Sequence, residues 1–359
     1  MSKAAPKNKF AIVIPAHNEE LFIADTVKNL FAQHYPRSLY DVIVVADNCS
    51  DKTAQKAYDS GAIVQVRNDK LHYGKGYVIH WILDKLDTKS YDTLIISDAD
   101  THLSNNFLYE INQSMQAGSK VIQSYYTMSN PQQNLFTTFF SITNTIRNLF
   151  YFWAKWKSGF SVPLVGSGMC FDLSLLKKLN WTAFSITEDH EYFAFLADKQ
   201  IRIDFCPRAK VFTHHSVSFR QATTQRLRWY GGKFLSMYRY GFNVLLKGIR
   251  SLNILQIDAG LELLIPHLAL LLNINLAGLL IIILISPYLN SNIWFILLLT
   301  NLGIQILYFG VGLIYTKNFR RSLLSIILVP VILVWGLALD ILAFLGFRQN
   351  QWIRSERNA

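Results

Sequence analysis

The stretch Thr93-Leu-Ile-Ile-Ser-Asp-Ala-Asp-Thr-His102 decides the fold. Thr93 to Ile96 is a β-branched, apolar run that reads as a buried strand, and it empties into two carboxylates one residue apart, Asp98 and Asp100. In open α/β sheets ligands sit outside the carboxyl ends of the strands, so a paired-acid strand end predicts a metal and its polyphosphate. Two hard oxygen donors suit Mg2+ or Mn2+, which keep several waters and are completed by substrate phosphates. Asp-x-Asp also arises by chance in a chain with this much Asp, so its meaning rests on its surroundings.

Upstream, Phe10 to Ile14 reads as a buried strand, stopped by Pro15-Ala-His-Asn-Glu-Glu20, and Leu21 to Gln33 has helical spacing. The next strand, Asp41 to Val45, ends in Ala46-Asp-Asn-Cys-Ser-Asp51, where Ser50 or Asp51 can cap a helix from Thr53 to Ser60. A short strand from Ala62 to Val66 leads to Asn68-Asp-Lys-Leu-His-Tyr-Gly-Lys-Gly76 and a helix to about Leu86. Strands alternating with helices predict an α/β fold with a mostly parallel, Rossmann-like sheet. No G-x-G-x-x-G follows the first strand, which argues against a dinucleotide cofactor. Each strand end carries a polar group aimed at one edge. Asp47 can accept from a nucleobase N–H or a ribose hydroxyl, Lys75 can reach a phosphate as a point charge, and Asp98 and Asp100 can hold the metal.

Downstream, residues 131 to 160 place Phe136, Phe139, Phe140, Leu149, Phe150, Trp153 and Trp156 at helical spacings beside Arg147, Lys155 and Lys157. They predict one or two amphipathic helices, serving either a core or a face in the lipid headgroup region. Val165-Gly-Ser-Gly-Met-Cys-Phe171 reads as a glycine-permitted turn whose backbone N–H groups can approach a ligand. Ser185-Ile-Thr-Glu-Asp-His190 precedes a helix from Glu191 to Asp198 and a strand from Ile201 to Phe205. Thr187 can cap that helix, and Asp189 can instead deprotonate an incoming hydroxyl. In Gln225-Arg-Leu-Arg-Trp-Tyr230, Arg226 and Arg228 suit a diphosphate or lipid, and Trp229 offers a flat face for a sugar ring. His214 and His215 can serve a metal, a phosphate or the fold.

Composition divides the chain. It has 359 residues, 51% of them hydrophobic, and nearly all the long apolar runs lie after residue 260. The net charge of +11 comes without a nucleic-acid-binding signature and flanks apolar segments, so anionic lipid plus a phosphorylated ligand is the better account. Cys49, Cys170 and Cys206 have no paired spacing and read as reduced, structural thiols. Met1 to Lys9 is basic but lacks an apolar core, so no cleaved signal peptide is expected.

Together, Asp47, Asp98-Ala-Asp100, Thr187-Glu-Asp189 and Gln225-Arg-Leu-Arg-Trp229 resemble the D, D-x-D, T/x-E-D and Q-x-x-R-W motifs of family 2 glycosyltransferases, over residues 10 to 230. The last motif is similar to that of the membrane-bound, often processive branch, which makes cellulose, hyaluronan, chitin and poly-N-acetylglucosamine. The resemblance implies a GT-A domain over residues 1–245, on the cytoplasmic side, and a membrane domain over 246–359. It implies an inverting, metal-dependent transfer from a UDP-sugar to a glycan or lipid-linked acceptor. Asp189 would be the base with Glu188 beside it, and Asp100 would hold Mg2+ or Mn2+. Asp98 would contact the ribose and Asp47 the uracil, with Pro15, Asn18, Glu19, Lys75, Gln225 and Arg228 completing the donor site. Gly166, Ser167, Gly168 and Trp229 would face the acceptor. The other readings are a single addition to a lipid-linked acceptor and a silent membrane subunit of a secretion complex. A homo-oligomer or accessory subunit is a further expected partner, beside membrane lipids.

The apolar segments 261–285, 293–315 and 323–347 are each long enough to cross a hydrocarbon core of about 30 Å. Lys317, Arg320 and Arg321 place the second loop, and with it the catalytic domain, in the cytoplasm of a multi-pass protein. Three crossings would put the basic tail from Phe347 to Arg357 outside, although it is similar to tails that lie near the cytoplasmic site. Pro330 and Asp340 in the last segment leave two or four crossings open against three.

Overall fold

The computed structural model describes residues 4–286 and 292–346. Strands β1 (Phe10–Ala16), β2 (Tyr40–Asp47), β3 (Ile63–Arg67), β4 (Thr93–Ile96), β5 (Thr101–Leu103), β6 (Val121–Met128), β7 (Met169–Asp172) and β8 (Asp204–Thr213) form one sheet in the order 3-2-1-4-7-6-8-5. Pairs β1–β2, β1–β4, β2–β3 and β6–β8 are parallel, whereas β4–β7, β6–β7 and β5–β8 are antiparallel. The sheet is therefore mixed, and more evenly so than a mostly parallel reading implies. Its parallel half is the punctuated βα half, because parallel neighbours need a crossover.

Both faces of the sheet are covered. Along β1, Ala11 and Val13 face one core while Phe10, Ile12 and Ile14 face the other, all fully buried. That two-sided burial is why these strands read as continuous apolar runs instead of alternating ones. The helices over residues 1–200 are α1 (Ile23–Phe31), α2 (Thr53–Asp59), α3 (Lys75–Lys85), α4 (Phe107–Gln116), α5 (Leu135–Ile146), α6 (Trp153–Lys157), α7 (Leu173–Leu179) and α8 (Glu188–Asp198). A π-helical turn, Arg147–Phe152, joins α5 to α6.

Three expectations change here. The glycine turn at Val165–Phe171 narrows to residues 166–168 and passes directly into β7. The strand expected at Ile201–Phe205 starts at Asp204 and continues to Thr213. Pro207 falls inside this strand although a proline has no N–H for the ladder. The chain accommodates it with a bulge: Cys206 pairs with Ser124, the next pair is Lys210 with Tyr125, and Pro207, Arg208 and Ala209 loop out. The helix expected at Leu21–Gln33 is trimmed to α1.

Beyond β8 the chain is helical: α9 (Phe219–Ser236), a second π-helical turn (Met237–Gly241), α10 (Phe242–Arg250), α11 (Ile254–Leu264), α12 (Leu268–Ile285), α13 (Asn292–Ile314), α14 (Phe319–Ser325) and α15 (Val329–Phe344). Among the described residues three stretches are long and apolar enough to cross a membrane: Leu268–Ile285, Asn292–Ile314 and Phe319–Phe344. The first begins at residue 268, not 261, because Pro266 disfavours helix at Ile265 and separates α11 from α12. The third is not one uniform helix. A 3-10 turn, Ile326–Leu328, and Pro330 in the first turn of α15 divide it. The expected tail from Phe347 to Arg357 and most of the loop from Ser286 to Asn292 lie outside the described residues.

The aromatic stretch 131–160 is packed on one side and exposed on the other. Phe136, Phe139 and Phe152 are buried, while Leu149 and Trp153 are exposed. The buried side meets apolar helices: Phe139 lies 5.5 Å from Phe309 and Phe150 lies 5.0 Å from Tyr315, ring centre to ring centre.

Candidate functional site

The carboxyl ends of β1, β2 and β4 open on one crevice, closed below by the 166–168 turn and the start of α8. Lys75 begins α3 between Gly74 and Gly76, and α3 lies close enough to the following chain that a Cβ at Gly76 would sit 2.0 Å from the Ala183 carbonyl. Its ammonium donates to Asp98 Oδ1 and, at 2.6 Å, to the Gly166 carbonyl, and lies 3.7 Å from Glu188 Oε1. Burial alone would weaken this base, but Asp98 and Glu188 outweigh it and hold Lys75 above the ordinary lysine range. A permanent cation therefore stands at the centre, already shared between two acids.

The turn below is shaped by its glycines. Gly166 and Gly168 have φ of +79° and +68°, where a side chain is strained. A Cβ at Gly166 would lie 3.5 Å from Asp189 Oδ2 and 3.9 Å from Lys75 Nζ, and one at Gly168 would strike Ser124 Oγ at 1.9 Å. Ser167 is buried and its hydroxyl accepts from the Asp98 amide at 3.1 Å. Gly166, Ser167, Lys75, Asp98, Glu188 and Asp189 thus converge. Burial pushes the Glu188 carboxyl up to about 7, against the pull of Lys75 and with the Asp189 charge adding to it. Asp189 Oδ1 accepts from the His190 amide at 2.8 Å. Thr187 does not cap α8 through its side chain, contrary to expectation. Its hydroxyl and methyl are instead pressed against α9, where a Cβ at Gly232 would come within 2.1 Å of Thr187 Cγ2.

At the outer edge, Asp47 ends β2 and its Oδ1 accepts from Arg67 Nη1 at 2.6 Å, with both side chains buried. Arg67 was not anticipated from sequence. The one signal was register, since Arg67 ends β3 directly opposite Asp47. Burial raises the Asp47 carboxyl and Arg67 opposes the rise. Pro15 sits within β1 opposite Val45. Asn18, at φ +55°, accepts through Oδ1 from the Ser50 amide at 2.8 Å, and the Glu19 amide donates to Thr53 Oγ1 at 2.7 Å. These two residues pin the first strand-end loop to the second.

On the other side of the acids lies a basic wall. β5 follows Asp100 and pairs with the end of β8, Thr101 opposite Thr213, which brings His214 and His215 alongside. Burial, with Arg226, Arg147 and His214 adding, lowers His215 to about 3, so it is neutral. Tyr126 lies in the field of Asp98 and Asp100, its phenol pushed up to about 12, chiefly by burial, and its ring is 5.6 Å from the Arg147 guanidinium. Gln225, Arg228, Trp229 and Gly232 occupy one stripe of α9 at i, i+3, i+4 and i+7, and Gly232 fixes that stripe against Thr187. Arg226 points elsewhere, 3.8 Å above the Phe140 ring.

The donor set at the β4 end fits a hard divalent cation of one kind. Among the described residues no three His, Cys, Asp or Glu side chains converge to hold a metal by themselves. Asp100 and Asp98 carry carboxylates of the kind that would hold such a cation together with waters and phosphate oxygens.

By fold and crevice this is a Rossmann-like α/β domain mounted on apolar helices. Residues 93–339 match the model of glycosyl transferase family group 2, and residues 11–161 match that of glycosyl transferase family 2. The chain belongs to glycosyl transferase family group 2. It is 24% identical over 245 residues to the probable glycosyltransferase YdaM of Bacillus subtilis (strain 168), a match covering 64% of this chain and 58% of that protein. It is 27% identical over 135 residues to the β-monoglucosyldiacylglycerol synthase of Trichormus variabilis, covering 35% of this chain and 28% of the synthase. The chain thus matches less than two thirds of the length of either relative. Its fold is similar to that of the mannosyltransferase PcManGT from Pyrobaculum calidifontis, solved in complex with GDP-Man and Mn2+, with a TM-score of 0.51 at 15% identity over 88% of this chain and 90% of that one. The likeness is one of fold, the GT-A arrangement.

Proposed function

We propose that this protein is a membrane-associated, inverting glycosyltransferase that moves a hexose or N-acetylhexosamine from a nucleotide sugar, a UDP-sugar in the first instance, to a hydroxyl of a membrane glycan or growing polysaccharide. The observation that carries this reading is the convergence of Asp98, Lys75, Gly166 and the Glu188–Asp189 pair at one crevice, in a chain of this family. Asp189 takes the proton from the acceptor hydroxyl as its oxygen attacks the anomeric carbon. The bond from that carbon to the diphosphate oxygen breaks in the same displacement, and the nucleoside diphosphate leaves with the electron pair. Lys75 and Arg228 of α9 stabilise the charge that develops on it. Mg2+ or Mn2+ held by Asp100 would supply Lewis-acid stabilisation of the same diphosphate. Asp47 and Arg67 form the base-binding end, with Asp47 against the nucleobase, while Asn18 and Glu19 fix the loops around it. Trp229 and the 166–168 turn line the acceptor side.

Two acceptor readings stay in play. Gln225 to Trp229 favours chain growth, as in the processive branch. The likeness to a β-monoglucosyldiacylglycerol synthase favours one addition to a lipid. Asp189→Asn separates chemistry from binding under either reading. Donor affinity stays within about two-fold while turnover falls by roughly 10²–10⁴, the usual range for a lost general base. Full turnover by the variant would remove Asp189 from the mechanism.

A further inference from the structure

The third apolar segment is long enough to span a bilayer, yet both of its ends are held on the same side. Its start follows α13, whose last turns rest on the catalytic domain: a Cβ at Gly312 would meet Ile146 Cγ1 at 2.3 Å, Leu313 packs with Ile142 and Ile146, and Tyr315 meets Phe150. Its end returns to the foot of α12, the other helix that leaves the domain. There Asp340 Oδ1 lies 2.8 Å from His267 Nε2, Tyr230 of α9 stacks on His267 at 4.2 Å, and Phe344 meets Phe234.

Between its ends α15 runs along α9. Trp335 donates from Nε1 to Thr223 Oγ1 at 3.1 Å, and Leu339 and Ala343 pack with Leu227 and Tyr230. Contacts advance together from 223 to 234 on α9 and from 335 to 344 on α15, so the two helices are parallel neighbours. Against α12 the direction reverses, with Asn273 Nδ2 reaching the Leu333 carbonyl at 3.1 Å while His267 meets Asp340. The segment therefore starts beside the domain, where Ile326 of the 3-10 turn still packs with Ile142, Ile146 and Leu313, reaches furthest along α12 near Leu333, and comes back to His267 at Asp340. Its apolar window is 28% buried within the protein, against 11% for each of the other two, which marks it as a packed element. Asp340, with its side chain 4% exposed, is shielded by this arrangement from the hydrocarbon that would penalise a carboxylate on a true span.

We infer that Phe319–Phe344 is a re-entrant element that enters and leaves the leaflet nearest the catalytic domain, so that among the described residues only α12 and α13 cross. Its inner face supports the back of α9, the helix that carries Gln225, Arg228 and Trp229, and its outer face meets acyl chains. Resting on the transferase reading, this arrangement brings an acceptor to α9 from that same leaflet.

The test is topological and needs no turnover. In the full-length protein with Cys49→Ala, single cysteines are placed at Ser286, Lys317 and Leu345 and labelled with a membrane-impermeant maleimide in sealed vesicles of known orientation. The expected result is that Lys317→Cys and Leu345→Cys label from the side of the catalytic domain, and Ser286→Cys labels only from the opposite side. Should a cysteine variant fail to fold, epitopes at the two chain ends of the unsubstituted protein give the same reading through protease protection, and both are expected to be cleaved or protected together. Labelling of Leu345→Cys from the side of Ser286→Cys, or opposite protection of the two epitopes, overturns the inference. Loss of transfer activity with the expected labelling leaves the topology standing and counts against the transferase reading alone.

Discussion

Arg67 and Asp47 are buried together at 2.6 Å, with side chains only 5% and 7% exposed. Arg67→Ala leaves the carboxylate without its cation in a site water reaches poorly, a loss of roughly 3–5 kcal/mol. Denaturant unfolding in detergent measures it, and a change below about 1 kcal/mol would mean that Asp47 finds another partner or takes a proton at little cost. Glu188 supplies a pH signature. Its folded value of about 7 lies above its ordinary 4.5, so between these values the folded protein holds the proton more tightly than the unfolded chain. Stability from this group therefore falls as pH rises from about 4.5 to 7. Glu188→Gln, which mimics the neutral acid, should flatten the pH dependence of Tm over that interval and melt higher than the parent above it. An unchanged slope would contradict the assignment. At this scale sequence was informative where an acid or lysine follows a strand or glycine directly, as for Asp98, Asp100 and Lys75. Arg67 was hidden because its partner lies on another strand, and Thr187 misled because its hydroxyl competes between a local cap and a packed neighbour.

Among elements, α9 depends on close approach. Gly231 and Gly232 are adjacent in the helix, an unfavourable choice for helix propensity, and Gly232 is where α9 meets Thr187. Gly232→Ala would place a methyl 2.1 Å from Thr187 Cγ2, an overpacking cost of about 1–3 kcal/mol that also shifts the Glu188–Asp189 turn. Turnover should drop more than donor affinity, and Thr187→Ala should recover part of the loss; equal effects on both, without rescue, would mean that α9 and the acid turn are not coupled there. The first four strands were legible because each is a largely apolar run stopped by a polar turn, and the first three are followed by helical spacing. The antiparallel part was not. β7 is four residues long and issues from a glycine turn, β8 is interrupted by Pro207, and β6, Val121-Ile-Gln-Ser-Tyr-Tyr-Thr-Met128, buries Gln123 and Ser124 in the sheet instead of alternating. Tertiary pairing, not local pattern, makes these strands.

The whole molecule joins the crevice to the long apolar helices through α5, α9 and α11. A buried ionic cluster reinforces the joint, with Lys155 Nζ 3.0 Å from both Asp258 Oδ2 and Glu262 Oε2, and Lys233 Nζ 2.7 Å from the Glu262 carbonyl. Hydropathy revealed that the last third is apolar but could not distinguish a span from a packed re-entrant helix, because both bury apolar surface and differ only in where their ends are held. The proposed reaction is nucleotide-sugar transfer at the Asp98–Asp189 crevice. It is tested most directly by incubating the protein in nanodiscs with a panel of UDP- and GDP-sugars, with Mg2+, Mn2+ or EDTA, and resolving products by size, with Asp189→Asn in parallel. The prediction is that one donor yields nucleoside diphosphate and a glycosylated product, that EDTA stops both, and that Asp189→Asn binds the same donor without transferring it. Absence of diphosphate release and product with every donor and metal, from folded protein that still binds nucleotide, would contradict it.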